Sequence, residues 1–305
     1  MLDPILQGIL LGGYYALLAA GLSLMFGVVR FINLAHGDMA VLGALIALAM
    51  VGAGLPVWAA ILLTLPLMAV AGWAMQALIF ERALRGGFLI PILTTIGLGA
   101  ALQNGMFGVF GSDTQSLGAH IGSLSWSGFT LPGGIIVGQL PVYTFGVAVA
   151  VLGGLHLMLT RSAMGRALRA TAADPEAAAM CGIDARRVRL QAAALAVTLA
   201  GLAGIFLAMR SQVTPYSGPM QLIFAFEAVV IGGLGSLWGT LIGGMILGVA
   251  QTLGGTISAQ FSVLAGHVVF LIVLGWRLFG AFPIAKGDWR AVMRAVLFPA
   301  KKEKT

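Results

Sequence analysis

The chain is 305 residues long, 59% hydrophobic and only 9% charged, whereas soluble proteins average about 25% charged residues. A chain of that balance belongs in lipid as one membrane domain, which excludes a string of soluble domains. Its net charge of +7 falls between apolar runs rather than on a polar surface interleaved with aromatics, which argues against a nucleic-acid binder.

Apolar cores at residues 5–29, 37–53, 57–80, 90–111, 141–160, 190–210, 222–236, 238–256 and 262–280 predict eight or nine spans. The expected fold class is therefore all-α, a polytopic transmembrane helix bundle with some spans short or broken. Residues 1–29 carry no Lys or Arg ahead of the apolar run, and that run is too long for a signal-peptide core, so 5–29 reads as a retained span. The pair 222–236 and 238–256 is either two short helices or a re-entrant segment followed by one helix. The 44 glycines suit close packing between membrane helices, with local unwinding at one or two of them. Residues 34–48 and 233–247 share a loose pattern of small and apolar residues that an internal repeat would leave.

The basic residues set the orientation. Arg82 and Arg85 follow the third core, and six of the 17 Lys and Arg lie from Arg161 to Arg189. The tail holds Lys286, Arg290, Arg294, Lys301, Lys302 and Lys304. These three regions belong in the cytoplasm by the positive-inside rule. Stretch 112–140 has no basic residue and suits a periplasmic loop. Nine spans then put the N-terminus outside; eight need not. The membrane domain is expected over 1–285. In 286–305, Trp289, Val292, Met293, Val296 and Leu297 share one helical face, with Lys286, Arg290 and Arg294 on another. That is an amphipathic helix with a basic tail, suited to the inner membrane surface.

Several chemistries have no footing here. The sequence has no GxxxxGK[ST] phosphate loop, no GxSxG elbow and no Cys or His cluster with metal-ligand spacing. No enzyme activity, metal or cofactor is expected, and any ATP-driven step needs another chain. The single cysteine, Cys181, forms no internal disulfide and reads as a filler residue.

The segment Gly165–Arg189 is the most informative. Asp174 is a good N-cap, Pro175 suits the first helical position and Glu176 favours the positive helix end. Gly182 is a natural residue just past the C-cap. A short, well-capped helix outside the bilayer is predicted, with Ala177, Met180 and Ile183 spaced to form one small apolar face. With basic flanks it is suited to dock on a partner; an ordinary connecting helix is the plainer alternative.

This loop resembles the coupling loop of permeases of the branched-chain amino acid ABC importers, LivH type, at Arg169, Ala170, Asp174, Pro175, Ala177, Ala178, Gly182 and Ile183. Three further stretches resemble the same family, in the family's order. They are Gly21–Gly27 with Ile32–Asp38, Pro91–Gly97 through Gln103 and Asn104, and Phe226–Ala228 running into Gly232–Ser236. Stretch 112–140 does not take part. The resemblance implies a permease pairing with a second, homologous permease subunit. Two ATPase subunits would dock on the cytoplasmic coupling loop, 161–189, and on its counterpart in the partner, and ATP binding would push the short helix near Asp174–Gly182, Glu176 included. A periplasmic substrate-binding protein would deliver leucine, isoleucine or valine. The setting is the lipid of a bacterial inner membrane. Urea, short-chain amides or other amino acids are the alternative cargo.

Polar residues within the spans need partners, because buried charge is costly in lipid. Asn33, His36 and Asp38 suit a structural network better than substrate contact. Thr94, Thr95, Gln103 and Asn104 suit bonds between helices. Glu227, the acid deepest in a late span, requires a partner or a water-filled cavity. It either holds a broken helix or meets the ammonium of a passing amino acid. A self-sufficient secondary transporter would need an ion site of its own, for which Glu227 is the main candidate. A purely structural membrane protein would have no use for the capped helix.

Overall fold

In the computed structural model, which describes residues 2–29, 31–87, 89–130 and 134–281, the apolar runs form helices. Helix is the conformation that satisfies every backbone N–H and C=O within one segment in lipid. α1 (Leu2–Val29), α2 (His36–Gly52) and α3 (Val57–Met75) come first. α3 continues through a π-helical turn, Gln76–Phe80, into the three-residue α4 (Glu81–Ala83). Then follow α5 (Leu89–Phe110), α6 (Gln139–Arg161), α7 (Ala163–Ala173), α8 (Pro175–Met180), α9 (Ala185–Arg210), α10 (Gly218–Gly232), α11 (Leu237–Ile257) and α12 (Ala259–Ala281).

Among the described residues, seven helical rods are long and apolar enough to cross a membrane: α1, α3 with its continuation, α5, α6, α9, α11 and α12. α2 and α10 are apolar but shorter, 17 and 15 residues. At 1.5 Å per residue they reach about 25 and 22 Å, less than the roughly 30 Å hydrocarbon core. The chain is thus an all-helical polytopic bundle with two short members. The uncertain stretch 222–236 with 238–256 is two separate helices, and the first begins earlier, at Gly218.

The helices sort into a buried centre and an exposed rim. In its most apolar stretch 83% of α1 is buried, against 72% for α9, 22% for α3 and α5, and 6% for α12. α1 runs antiparallel to α11 along a seam of small residues. A Cβ at Gly12 would lie 2.4 Å from Met245 Cα, so only glycine allows this approach. Leu17, Leu18, Met39, Leu45 and Leu247 fill the core around that seam. On the rim Trp58, Leu62, Trp73, Leu93, Leu271 and Trp276 are exposed, a surface fit for lipid or another subunit.

The two ends of the bundle differ. Arg85, Glu81 and Arg189 line one cleft together with Val29, the last residue of α1. This is the basic end. At the opposite end, Gln7 near the start of α1 and Arg210 at the end of α9 line a cavity with Ser125, Trp126 and Ser127. The start of α1 therefore lies opposite the basic loops, as the nine-helix count requires. Residues 112–130 and 134–138 fold over that opposite end. They are pinned by Leu117 N–H donating to Ala208 O at 2.8 Å and by a bridge between Gln115 and Val213. Their only described strands are an antiparallel pair, Gly128–Thr130 and Ile136–Gly138, with Phe129 opposite Val137.

The two segments with the loose repeat pattern differ in structure. α2 packs on α9, while the longer α11 packs on α1. The amphipathic helix expected in 286–305 lies outside the described residues.

Candidate functional site

The loop at the basic end is built from three consecutive caps. Ser162 breaks α6, and its Oγ accepts from Gly165 N–H at 2.9 Å to open α7. α7 turns Leu168 into a cluster with Val28 of α1, Leu155 of α6 and Val188 of α9, while Arg166 and Arg169 face outward. Asp174 then takes an extended backbone (φ −152°), and its Oδ1 accepts from Glu176 N–H at 2.9 Å and Ala177 N–H at 3.0 Å. Pro175 follows at the first helical position, where a missing N–H costs nothing.

α8 ends in the expected way. Ile183 N–H donates to Ala178 O at 3.0 Å and Gly182 N–H to Ala179 O at 2.9 Å. This pair of bonds closes a Schellman turn, which needs the left-handed backbone that Gly182 supplies at φ +80°. Asp184 caps α9 at once, accepting from Arg186 N–H at 3.0 Å and Arg187 N–H at 3.2 Å. A six-residue helix has little stability of its own. Two aspartate caps and the turn at Gly182 hold this one in a fixed direction.

The tip of α8 faces outward. Asp174, Pro175, Glu176 and Ala177 are exposed, and Met180 is 90% exposed. Ala178 is buried, and Ile183 is half-buried and packs against the cluster beneath. The expected face of Ala177, Met180 and Ile183 is therefore split. Ala177 and Met180 point away from the bundle, whereas Ile183 anchors the loop, because the turn at Gly182 reverses the chain between them. Ala170 is half-buried on α7.

The polar residues within the spans form separate groups. Asn33 Oδ1 accepts from Ala35 N–H at 3.1 Å in the turn that opens α2. His36 Nε2 lies 2.9 Å from Leu18 O, halfway along α1, so α2 starts inside the bundle. Asp38, also buried, accepts from Gln103 Nε2 of α5 at 2.9 Å and lies against Gly218, the first residue of α10. Two short helices thus present their N-terminal ends to one carboxylate, a favourable place for negative charge.

Thr94 and Thr95 do not join this group. Their hydroxyls donate to Ile90 O and Ile92 O of their own helix, at 2.7 and 2.9 Å, and Asn104 donates to Ala100 O. The expectation of bonds between helices holds for Gln103 and fails for these three, because a carbonyl one turn back is the nearer acceptor. Glu227 is apart from all of them, paired through Oε1 with His267 Nδ1 of α12. It lies on the wall of an apolar cavity of about 380 Å³ with Ile32, Leu34, Ile92, Leu222, Phe226 and Phe270. A second cavity, about 410 Å³ at the end opposite the basic loops, is more polar. Arg210 reaches into it with its guanidinium 5.2 Å from the centre of the Tyr14 ring.

Residues 4–275 match the family described as the branched-chain amino acid transport system permease component. The chain belongs to that family. Among its relatives is the high-affinity branched-chain amino acid transport system permease protein BraD of Pseudomonas aeruginosa, 30% identical over 90% of this chain and 94% of the relative. The permease protein LivH of Escherichia coli K12 is 28% identical over 90% and 92%. A probable branched-chain amino acid transport permease protein LivH of Methanocaldococcus jannaschii is 30% identical over 95% and 94%. As a member of a transport permease family, the chain is a membrane transport component, which its seven long apolar rods suit.

Within this permease, three features escaped the sequence. α7 was missed, although Ser162 and the buried pair Leu168 and Thr171 mark it as a capped amphipathic helix. His267 was missed as the partner of Glu227, 40 positions away. So was Glu81, which accepts two bonds from Arg189 across 108 positions.

Proposed function

We propose that this chain is the membrane-spanning subunit of an ATP-driven ABC importer for leucine, isoleucine and valine in a bacterial inner membrane. The chain pairs with a second, homologous permease subunit, and two ATPase subunits dock from the cytoplasm, on loop 161–189 with α8 in it and on the partner's counterpart. A periplasmic binding protein delivers cargo to the end that carries stretch 112–138. Residues 1–285 form the permease domain.

The observation that carries this is α8: a short helix, doubly capped and directed out of the basic end, in a chain whose relatives are named as branched-chain amino acid permeases. Exposed Ala177 and Met180 offer a small apolar tip, and Arg166, Arg169, Arg186 and Arg187, exposed on the helices before and after α8, give the loop its basic charge. Buried Ala178 and half-buried Ile183 join that tip to α9. When the ATPases close on ATP, the tip moves and the bundle changes the side to which it opens. Asn33, His36, Asp38, Thr94, Thr95 and Glu227 serve as structural groups rather than cargo contacts; the bonds each makes within the protein support this.

The test is uptake of labelled leucine, and separately of urea, by proteoliposomes holding the chain with its ATPases, permease partner and binding protein. ATP-dependent leucine uptake that disappears on deleting Asp174–Gly182, with the protein still folded, is expected. Urea uptake without leucine uptake would move the cargo to the amide class. Uptake by the chain alone, indifferent to that deletion, would sink the ABC importer.

A further inference from the structure

A push on α8 has to reach the helices that cross the membrane. α8 passes into α9 through the Asp184 cap, and α9 is bound side by side to α3. At the basic end that contact becomes a fork. Arg189, early in α9, donates from Nε to Glu81 Oε1 at 2.8 Å and from Nη2 to Glu81 Oε2 at 2.9 Å. Their side chains are only 25% and 10% exposed. A bidentate pair fixes direction as well as distance, which a single lysine contact would not.

The backbone before Glu81 is shaped for this pair. Gln76–Phe80 is the π-helical turn, and its defining backbone bond joins residues five apart, here Glu81 N–H to Gln76 O. Gln76 and Glu81 are five apart, and Gln76 Nε2 donates to Glu81 Oε1 at 3.1 Å. Gln76 is fully buried, and its own Oε1 has no partner among the described residues. A buried amide oxygen left unpaired is unfavourable. What the amide secures in exchange is the orientation of Glu81.

We propose that Glu81 is the positioning residue that passes the displacement of the docking loop to α3. Through the Arg189 fork, α3 and α9 move as one body. α3 is a rim helix, so the motion reaches the surface that meets lipid or the partner permease. The proposal rests on α8 being the ATPase docking helix.

The experiment uses the complete transporter in proteoliposomes and records leucine uptake and ATP hydrolysis in the same vesicles. In Glu81→Gln, ATP hydrolysis stimulated by loaded binding protein is expected to stay within about twofold, while uptake per ATP falls about tenfold, the size of an ordinary coupling between sites. Glu81→Asp keeps the charge but withdraws it from bidentate reach. It guards against misfolding and is expected to lower the same ratio. The charge exchange Glu81→Arg with Arg189→Glu is expected to restore much of it. Two results would overturn the proposal alone: a wild-type ratio in Glu81→Gln, or hydrolysis and uptake falling together with an exchange that restores only thermal stability. Uptake that survives deletion of Asp174–Gly182 would overturn ATPase docking on α8, and this proposal with it.

Discussion

Glu81 and Glu227 are both carboxylates buried in an apolar helix bundle, and the protein provides for them differently. Glu81 receives a permanently charged guanidinium on both oxygens and an amide on one. Glu227 has a single imidazole on one oxygen, and its Oε2 is buried without a partner among the described residues. The first arrangement is a finished joint at the basic end, between the continuation of α3 and the start of α9, the helix into which the loop runs. The second is a half-satisfied group beside an apolar cavity, deeper among α10 and α12. A buried pair is weak evidence of stability but strongly resists loss of one partner. The contrast therefore predicts unequal responses to substitution.

Arg189→Ala carries the largest expected effect. It strips Glu81 of its charged partner and should cost roughly 3 kcal/mol, seen as a lower melting temperature of the purified protein in detergent. His267→Ala comes next, at about 2 kcal/mol, because it leaves Glu227 with no bond to either oxygen. If the two variants melt alike, the distinction between a finished and a half-satisfied carboxylate is wrong. Asp174→Ala removes an exposed cap, and about 1 kcal/mol is expected to fall on α8 alone. Hydrogen exchange should quicken at Glu176 and Ala177 while the global melt is unchanged. Glu227→Gln should be smallest, under about 1 kcal/mol, since the amide still meets His267 and removes a charge that is only partly compensated. A large loss there would mean that the carboxylate's charge itself is structural.

What could be read from the sequence follows from distance along the chain. The ends of α8 were legible because each of their signals, Asp174, Pro175 and Gly182, acts within five residues. The spans were legible because lipid demands apolar runs. The split of the α8 face was not, since Ile183 turns inward only when the cluster of Leu155, Leu168 and Val188 is in place beneath it. Nor was the Glu81 fork, whose partner lies 108 positions away and whose π-helical turn leaves no local composition mark. The N-terminal helix looks like any other span in sequence. Its central position depends on seams with α9 and α11, both far along the chain.

That last feature sets a timetable for assembly. α1 is made well before the helix that closes its glycine seam, α11, which ends at Ile257. At the usual 5–20 residues per second, the ribosome needs roughly 10–50 s to make what lies between. For that interval the glycines of α1 that face α11, Gly8 and Gly12, lack the helix that covers them, even once α6, α9 and α10 have been made. A chain halted before α11 would keep that face open permanently, a mark by which membrane quality control can tell an unfinished bundle from a finished one.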